Sequence, residues 1–247
     1  MKVVLVTGGS GGIGSAISQT FASNGYAVIV GYNRNEAKAR QLLNKLPGKG
    51  HSCLQTNIND SAKLTEAANT IEKAYGKLNV LVNNAGITTP VPHEDLEALT
   101  DEWIDRILTT NVKGTFAMTR ASKRLLLKGA NDLSSSLIVN ISSVAAKTGI
   151  GSNVMYCASK AAIDSMTRSL ARALAPDIRV VSVSPGWVLG EYAKEVDPAY
   201  LKMQEELTPL KRLAKPGDVA RTVYCVAERL VFTTGSVIPV DGGRPLN

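Results

Sequence analysis

The chain has 247 residues, and 44% of them are hydrophobic, which is enough for a large α/β domain with a full core. This share excludes a disordered chain, and no apolar run approaches the roughly 18 residues of a membrane-spanning helix. The net charge is +7, but the basic residues are dispersed and form no nucleic-acid-binding motif. We therefore predict neither a nucleic acid nor a membrane as partner. Because the chain starts directly with an apolar strand and not with a secretory signal, we also expect it to be cytoplasmic.

The cysteine and histidine patterns point to no metal site. Three cysteines are widely separated and two histidines lie far apart, without the spacing of metal ligands or of a disulfide framework. We predict no metal cofactor.

Short apolar, β-branched segments alternate with helical segments along the whole chain. Strands are predicted at residues 3–7, 27–31, 52–56, 79–82, 137–141, 179–183 and 236–240. Because parallel strands need crossovers that place helices on both faces, the alternation predicts a parallel α/β sheet. It continues without a break in composition, so we predict one domain over residues 1–247.

Local sequence features predict two further segments, a capped helix and a segment between two prolines. Thr100 is predicted to cap a helix that continues through Phe116, which places Asn111 mid-helix. Between Pro185 and Pro216 a polar, partly helical segment interrupts the alternation. We interpret it as a substrate lid at about residues 187–215.

A glycine-rich turn follows the first strand and opens a helix. It reads Thr-Gly-Gly-Ser-Gly-Gly-Ile-Gly from Thr7 to Gly14. Backbone amides and a helix N-terminus in this context can hold a pyrophosphate, which predicts a dinucleotide site. The spacing satisfies two different glycine fingerprints, so the glycines alone leave the family open. The predicted contacts are Gly8, Ser10, Gly12, Ile13 and Gly14.

The end of the second strand distinguishes the cofactors. Enzymes that use NAD commonly place an acid about 20 residues beyond the glycine turn. Here no carboxylate appears before Glu36, whereas Asn33 and Arg34 are suited to a ribose phosphate. We predict that NADP(H) is preferred over NAD(H); the alternative is that Arg34 is only a solvated turn residue.

Polar and small residues follow two later strands. Asn84, Ala85 and Gly86 come after the fourth strand, where small residues let the backbone approach the adenosine ribose. Ser142 and Ser143 end the fifth strand. Both sets are predicted to lie at the carboxyl edge of the sheet.

Tyr156 and Lys160 are four residues apart in the predicted helix after the fifth strand and share one face of it. A nearby ammonium stabilises a phenolate, so we expect the pKa of Tyr156 to be lowered and its proton to become exchangeable. Ser143 can bind the substrate oxygen and hold it against Tyr156. A tyrosine and a lysine at this spacing are weak support alone, and the glycine turn in the same chain makes the functional interpretation the better one.

These residues resemble the short-chain dehydrogenase/reductase family over essentially the whole chain. Five blocks occur in the family's order: Thr7–Gly14, Asn83–Gly86, Asn111 within Thr-Asn-Val-Lys-Gly, Ser143 thirteen residues before Tyr156, and Pro185-Gly186 with Val240–Gly243. The resemblance implies a single-domain, Rossmann-type, doubly wound sheet of seven parallel strands in the order 3-2-1-4-5-6-7, with helices on both faces. It also implies a homotetramer.

The resemblance assigns roles to further positions. It implies a catalytic tetrad of Asn111, Ser143, Tyr156 and Lys160, in which Asn111 supports a water that connects Lys160 to the proton relay. Further contacts with the cofactor are implied for Tyr32, which falls where NAD users carry their acid, and for Asn57, Ile58, Pro185, Gly186 and Val188. Gly190 departs from the family, which often has a threonine there that bonds the nicotinamide carboxamide.

The expected activity is hydride transfer between NADP(H) and a small-molecule carbonyl or alcohol. The motifs are most similar to those of 3-oxoacyl-[acyl-carrier-protein] reductases, so an acyl thioester or an acyl carrier protein is a candidate partner. Lys123, Arg124 and Lys128 form a predicted basic cluster that would attract an acidic carrier. Alternatives are a polyol, sugar or steroid dehydrogenase of the same family, or a nucleotide-sensing regulator without turnover.

Overall fold

The computed structural model describes residues 1–131, 134–190 and 196–246. In this part of the chain, seven parallel strands form one sheet in the order β3-β2-β1-β4-β5-β6-β7. The strands are β1 (Val3–Val6), β2 (Ala27–Tyr32), β3 (Ser52–Gln55), β4 (Val80–Asn83), β5 (Ser136–Ile141), β6 (Ile178–Pro185) and β7 (Val237–Val240). The predicted strand order is confirmed.

Helices cover both faces of the sheet. They are α1 (Gly12–Ser23), α2 (Glu36–Leu43), α3 (Ser61–Tyr75), α4 (Asp101–Ile107), α5 (Thr115–Gly129), α6 (Ala145–Thr148), α7 (Val154–Leu174), α8 (Pro198–Glu206) and α9 (Pro216–Glu228). A short 3₁₀ segment, Arg244–Leu246, follows β7.

The core has two layers because alternate residues of each strand point to opposite faces. In β1, Val4 and Val6 pack with α1, α2 and α9, and Phe21 of α1 is fully buried among them. Val3 and Leu5 of the same strand pack on the other face, with α3, α5 and α7. Both faces of the central strands are therefore shielded from water, which is why β1 and the first three residues of β4 are continuous apolar runs in the sequence.

The helix predicted from Thr100 through Phe116 is present, but it is not α-helical throughout. Thr100 does cap α4, since its hydroxyl accepts a hydrogen bond from Trp103 N, but α4 ends at Ile107. A π-helical segment, Leu108–Gly114, joins it to α5. Asn111 lies in this wider turn, and its carbonyl oxygen accepts a hydrogen bond of 2.7 Å from Thr115 Oγ1. Such insertions of one residue in a helix occur often at functional sites.

Two backbone hydrogen bonds join the ends of the segment predicted as a lid. Leu189 N donates to Ala214 O (2.8 Å), and Ala214 N donates to Trp187 O (3.0 Å). Between these ends, α8 forms part of the segment, as predicted, and residues 191–195 lie outside the described residues.

None of the described helices combines the length and the apolar character that crossing a bilayer requires. Among the described residues, no group of three or more histidine, cysteine, aspartate or glutamate side chains is placed to hold a metal ion.

Candidate active site

A cleft of about 1050 Å³ lies at the carboxyl ends of the strands. It extends from the turn after β2, past the glycine turn after β1, to the residues that follow β4, β5 and β6. The strand order reverses between β1 and β4, which lie side by side in the sheet. In open α/β sheets this switch point is where ligands bind.

The glycine turn is shaped by close backbone approaches. A Cβ on Gly14 would lie 2.2 Å from Gly8 O, and Gly8 itself has φ +60°, so neither position accepts an ordinary side chain. Helix α1 starts after Gly11 without a side-chain cap. The turn and the first amides of α1 therefore suit a phosphate group, which is the fit expected for a dinucleotide.

Asn84 fixes the glycine turn from the neighbouring strand. Its Nδ2 donates to Thr7 O (3.0 Å) and Gly8 O (3.2 Å). The Thr7 hydroxyl in turn accepts from Asn84 N and Ala85 N. The two turns at the ends of β1 and β4 are thus held as one unit.

Tyr32, Asn33 and Arg34 line the cleft at its opposite end, after β2. Asn33 and Arg34 are exposed, whereas Tyr32 is half-buried. Glu36 at the start of α2 forms an ion pair with Arg40. Burial, and after it the negative charge of Glu36, raise the pKa of Tyr32. The first carboxylate after β2 in the sequence is therefore already paired with a cation.

Tyr156, Ser143 and Lys160 lie together at the end of the cleft beyond β4 and β5. The side chain of Ser143 lies beside that of Tyr156 and acts to lower the pKa of its phenol. Lys160 is one turn farther along α7, with Nζ 5.6 Å from the centre of the Tyr156 ring and 2.8 Å from Ile141 O, to which it donates. Ser142 points elsewhere and donates to Lys160 O (3.3 Å), which favours Ser143 over Ser142 for contact with a substrate.

Burial controls the protonation of this group. It lowers the pKa of Lys160 to about 8, although Asp164 on the next turn of α7 opposes this shift. The pKa of Tyr156 is raised because its burial outweighs the effect of Ser143. The expectation of a lowered pKa for Tyr156 is therefore wrong for this structure. That expectation counted the nearby charge and left out the cost of burying a phenolate.

Asn111 holds a segment that forms one wall of the cleft. Its Oδ1 accepts from Ile87 N (2.8 Å), and its Nδ2 donates to Ile87 O (2.9 Å) and Ser159 Oγ (3.1 Å). Residues 87–93, which we name the strap, follow the Asn84 turn, and Ile87 and Thr88 of the strap line the cleft. The side chain of Asn111 thus connects the strap to α7.

Comparison with known proteins shows the family. A family model described as enoyl-(acyl carrier protein) reductase matches residues 8–244. The uncharacterised oxidoreductase YgfF of Escherichia coli is 38% identical over 251 residues, which cover 99% of this chain and 100% of YgfF. The 3-oxoacyl-[acyl-carrier-protein] reductase FabG of Staphylococcus aureus is 32% identical over 246 residues, with 98% and 97% of the two chains covered.

Solved structures of short-chain dehydrogenase/reductases and ketoacyl reductases are similar to this chain over almost its whole length. A short-chain dehydrogenase/reductase from Brucella melitensis, described as a glucose/ribitol dehydrogenase, superimposes with a TM-score of 0.90 at 28% identity, covering 98% of this chain and 96% of its own. The chain belongs to the short-chain dehydrogenase/reductase family. The 3-ketoacyl-(acyl-carrier-protein) reductase of the same organism, in complex with NADH, has a TM-score of 0.88 at 29% identity, with 98% of each chain covered. The RhlG/NADP complex of Pseudomonas aeruginosa has a TM-score of 0.91 at 27% identity, with 98% and 96% covered.

As a member of this family the protein is an oxidoreductase, and nicotinamide cofactors are bound in structures similar to it. Most residues predicted to contact the cofactor line the cleft. They are Gly8, Ser10, Gly12, Ile13, Gly14, Tyr32, Asn33, Arg34, Ile58, Asn84, Ala85, Gly86, Tyr156, Lys160, Pro185, Gly186 and Val188.

Two predicted residues do not line it. The side chain of Asn57 turns towards its own loop, where Oδ1 accepts from Asn59 N (3.2 Å). Asn111 is 2% exposed and lies behind the strap. The prediction missed Thr88 and Thr109, which do line the cleft, and Thr88 follows the Asn84 turn so closely that its position was a usable signal.

Proposed function

We propose that the protein is an NADP(H)-dependent carbonyl reductase in which Tyr156 supplies the proton, and the observation that carries this proposal is the meeting of Tyr156, Ser143 and Lys160 in the cleft. The glycine turn would hold the cofactor pyrophosphate, and Pro185, Gly186 and Val188 would lie against the nicotinamide. The reduced nicotinamide of the bound cofactor would supply a hydride to the carbonyl carbon.

The side chains complete the reaction. Ser143 donates a hydrogen bond to the carbonyl oxygen and orients it towards Tyr156. The Tyr156 O–H bond breaks, its proton moves to the oxygen that gains negative charge, and an alcohol forms. The Lys160 ammonium stabilises the phenolate that remains. In the reverse direction the same phenolate accepts the alcohol proton.

Burial lowers the pKa of Lys160 to about 8, so its side chain carries a positive charge below that pH. Near neutral pH the group therefore has a charged lysine and a protonated tyrosine, whose pKa is raised. This is the combination that a reductase needs, because the carbonyl must receive a proton.

Preference for NADP(H) is supported by the chemistry at the end of β2. Asn33 and Arg34 are exposed in the cleft, and the nearest acid, Glu36, is paired with Arg40. A ribose phosphate there would meet a cation and an amide without a free carboxylate beside them. Among the similar structures one holds NADH and another NADP, so the preference depends on these residues of the chain itself.

For the substrate we propose a 3-oxoacyl thioester, because the S. aureus relative is named as a 3-oxoacyl-[acyl-carrier-protein] reductase. The basic cluster gives the carrier protein less support than the sequence indicated. Glu72 of α3 binds both Arg124 and Lys128, and its carboxylate offsets their charge. A free thioester such as acetoacetyl-CoA is therefore the first substrate to test. We also propose that residues 1–247 form one domain and that four copies assemble, as the family resemblance implies, and cytoplasmic residence stays a prediction.

The proposal is tested by following NADPH oxidation with acetoacetyl-CoA, an uncharged ketone, a sugar and a steroid ketone, with Tyr156→Phe as the matched blank. We expect the thioester to have the highest kcat/KM and the blank to lose turnover with every substrate. Turnover of a sugar or steroid alone would overturn the acyl proposal and keep the role of Tyr156. Absence of turnover with all substrates, together with tight NADPH binding, would favour the nucleotide-sensing alternative.

A further inference from the structure

Asn153 is a buried polar residue outside the set that the catalytic proposal uses. Its side chain is 1% exposed and lies directly before α7, three residues ahead of Tyr156. A buried amide is stable only when its donors and acceptor are hydrogen-bonded. The partners of Asn153 therefore show what the residue does.

The oxygen of the amide caps α7. Asn153 Oδ1 accepts a hydrogen bond of 2.7 Å from the main-chain N–H of Tyr156. The first amides of a helix have no partner within it, so this bond fixes the first turn of α7 at the residue that carries the phenol. Thr100 caps α4 in the same way, but among the described residues its hydroxyl bonds to its own helix alone.

The nitrogen of the same amide binds the strap. Asn153 Nδ2 donates to Thr89 O at 2.7 Å and reaches Thr88 Oγ1 at 3.4 Å. Thr88 Oγ1 also contacts Ser152 Oγ, and Val91 N donates to Ser152 O (2.8 Å). The strap is therefore held by Asn111 at Ile87 and by Asn153 one and two residues later.

This arrangement needs an amide. An aspartate would keep the acceptor for Tyr156 N but would lose both donors, and a serine is too short to reach the strap while it caps the helix. One side chain thus sets the distance between the main chain of Tyr156 and the wall of the cleft that faces the substrate. A displacement of about 1 Å in such a pair can slow an enzyme by two orders of magnitude.

We propose that Asn153 is a positioning residue that holds Tyr156 and the strap in register, so that a substrate lying against the strap, with its oxygen oriented by Ser143, meets the phenol. The inference rests on the proposed role of Tyr156. The two halves of the amide have separable effects. Loss of the cap displaces Tyr156 and lowers kcat, whereas loss of the donors loosens the strap and raises the KM for the substrate.

The test compares Asn153→Ala, which loses both functions, with Asn153→Ser, which keeps a capping hydroxyl and loses the strap donors. Thr100→Ala is the matched control, since it removes a helix cap away from the proposed catalytic group. For Asn153→Ala we expect kcat to fall by about tenfold or more. For Asn153→Ser we expect kcat within about threefold of the parent and KM raised about fivefold, because a serine cap restores most of the capping energy. NADPH affinity, measured by fluorescence titration, should stay unchanged in all three variants.

Hydrogen–deuterium exchange gives a readout that does not depend on turnover. The amide of Val91 should exchange faster in both Asn153 variants and at the parental rate in Thr100→Ala, because the strap loses its hydrogen bonds to residue 153 only in the former. The proposal is overturned if Asn153→Ser loses kcat as Asn153→Ala does, if Thr100→Ala is equally impaired, or if exchange in the strap does not change. An inactive Tyr156→Phe variant beside an unaffected Asn153→Ala would remove this inference and keep the proposed function, whereas an active Tyr156→Phe would remove the proposed function itself.

Discussion

The two ends of the cleft are built differently. At the end where we propose that the reaction takes place, Lys160 is 8% exposed, its ammonium donates to Ile141 O, and Ser143 lies beside Tyr156. At the adenosine end, Asn33 and Arg34 project from an exposed turn after β2. The sheet holds both ends at one edge, but only one of them is removed from water.

This difference separates the chemistry from the choice of cofactor. Electrostatic interactions are strong where water is excluded and weak where solvent and salt screen them. Changes at the buried end should therefore alter rates by orders of magnitude, whereas changes at the exposed end should alter affinities by about tenfold. The following variants test this ranking from the largest expected effect to the smallest.

Tyr156→Phe should have the largest effect. It removes the proton donor and keeps the ring, so we expect turnover to fall by about 10²-fold or more while the fold and cofactor binding persist. Steady-state kinetics beside a fluorescence titration with NADPH would measure both. A variant with nearly parental rates would show that the buried end does not carry the chemistry.

Lys160→Met should come next. It removes a buried charge that stabilises the phenolate, and a shift of about one unit in the pKa of Tyr156 corresponds to a tenfold loss of rate. In the parent, the rate of carbonyl reduction should fall as pH rises through about 8, where Lys160 loses its proton. Lys160→Met should lack this decline, and a decline at the same pH in the variant would assign it to another group.

The same shift predicts an opposite trend in stability. Between pH about 8 and the ordinary lysine value of 10.5, the unfolded chain keeps the Lys160 proton that the folded chain has lost. The contribution of this group to the free energy of unfolding therefore rises with pH across that window. Urea unfolding of the parent and of Lys160→Met at about pH 7.5 and about pH 10, which span most of this window, should show a larger rise in the free energy of unfolding for the parent than for the variant.

Arg34→Ala tests the exposed end. A charged hydrogen bond contributes roughly 1.5–3 kcal/mol, and screening at an exposed site reduces it, so NADPH binding should weaken by about tenfold. NADH binding should change little, because NADH has no ribose phosphate. Isothermal titration with both cofactors measures the two effects, and an equal loss for NADPH and NADH would assign Arg34 to another part of the cofactor.

Gly190→Thr should have the smallest effect and the opposite sign. Gly190 lines the cleft, and a Cβ there would meet no atom of the described residues within 4 Å, which leaves room among them for the threonine that the family often carries. We expect the affinity for NADPH to increase about two- to fivefold through one added hydrogen bond. Weaker binding would indicate that the lid of this protein depends on the glycine.

The sequence predicted most of the sheet because its strands are buried on both faces. β2 and β5 were placed within one residue at each end, since doubly buried strands are continuous apolar runs. The π-helical turn at Asn111 was not predictable in this way, because a single inserted residue leaves the apolar periodicity of α4 and α5 almost unchanged.

What the sequence missed in the site depends on contacts between distant segments. Glu72 of α3 reaches Arg124 and Lys128 across more than 50 positions of the chain, and this offsets a charge cluster that looked unopposed. The pKa of Tyr156 depends on packing that no local pattern records. The residue types and spacing of the catalytic group were visible in the sequence, whereas their protonation was not.

The hydrogen bonds between the segment around Trp187 and Ala214 have a consequence for how new specificities arise. They join the two ends of the segment predicted as a lid, so the backbone beside Trp187 and beside Ala214 is held at fixed points. Lengthening a loop with fixed ends costs little, about 0.6 kcal/mol for each doubling. The segment predicted as a lid can therefore change in length at little cost in stability. Its sequence can be replaced by one of different length to accept another ketone, while the register of β6 and the group around Tyr156 stay as they are.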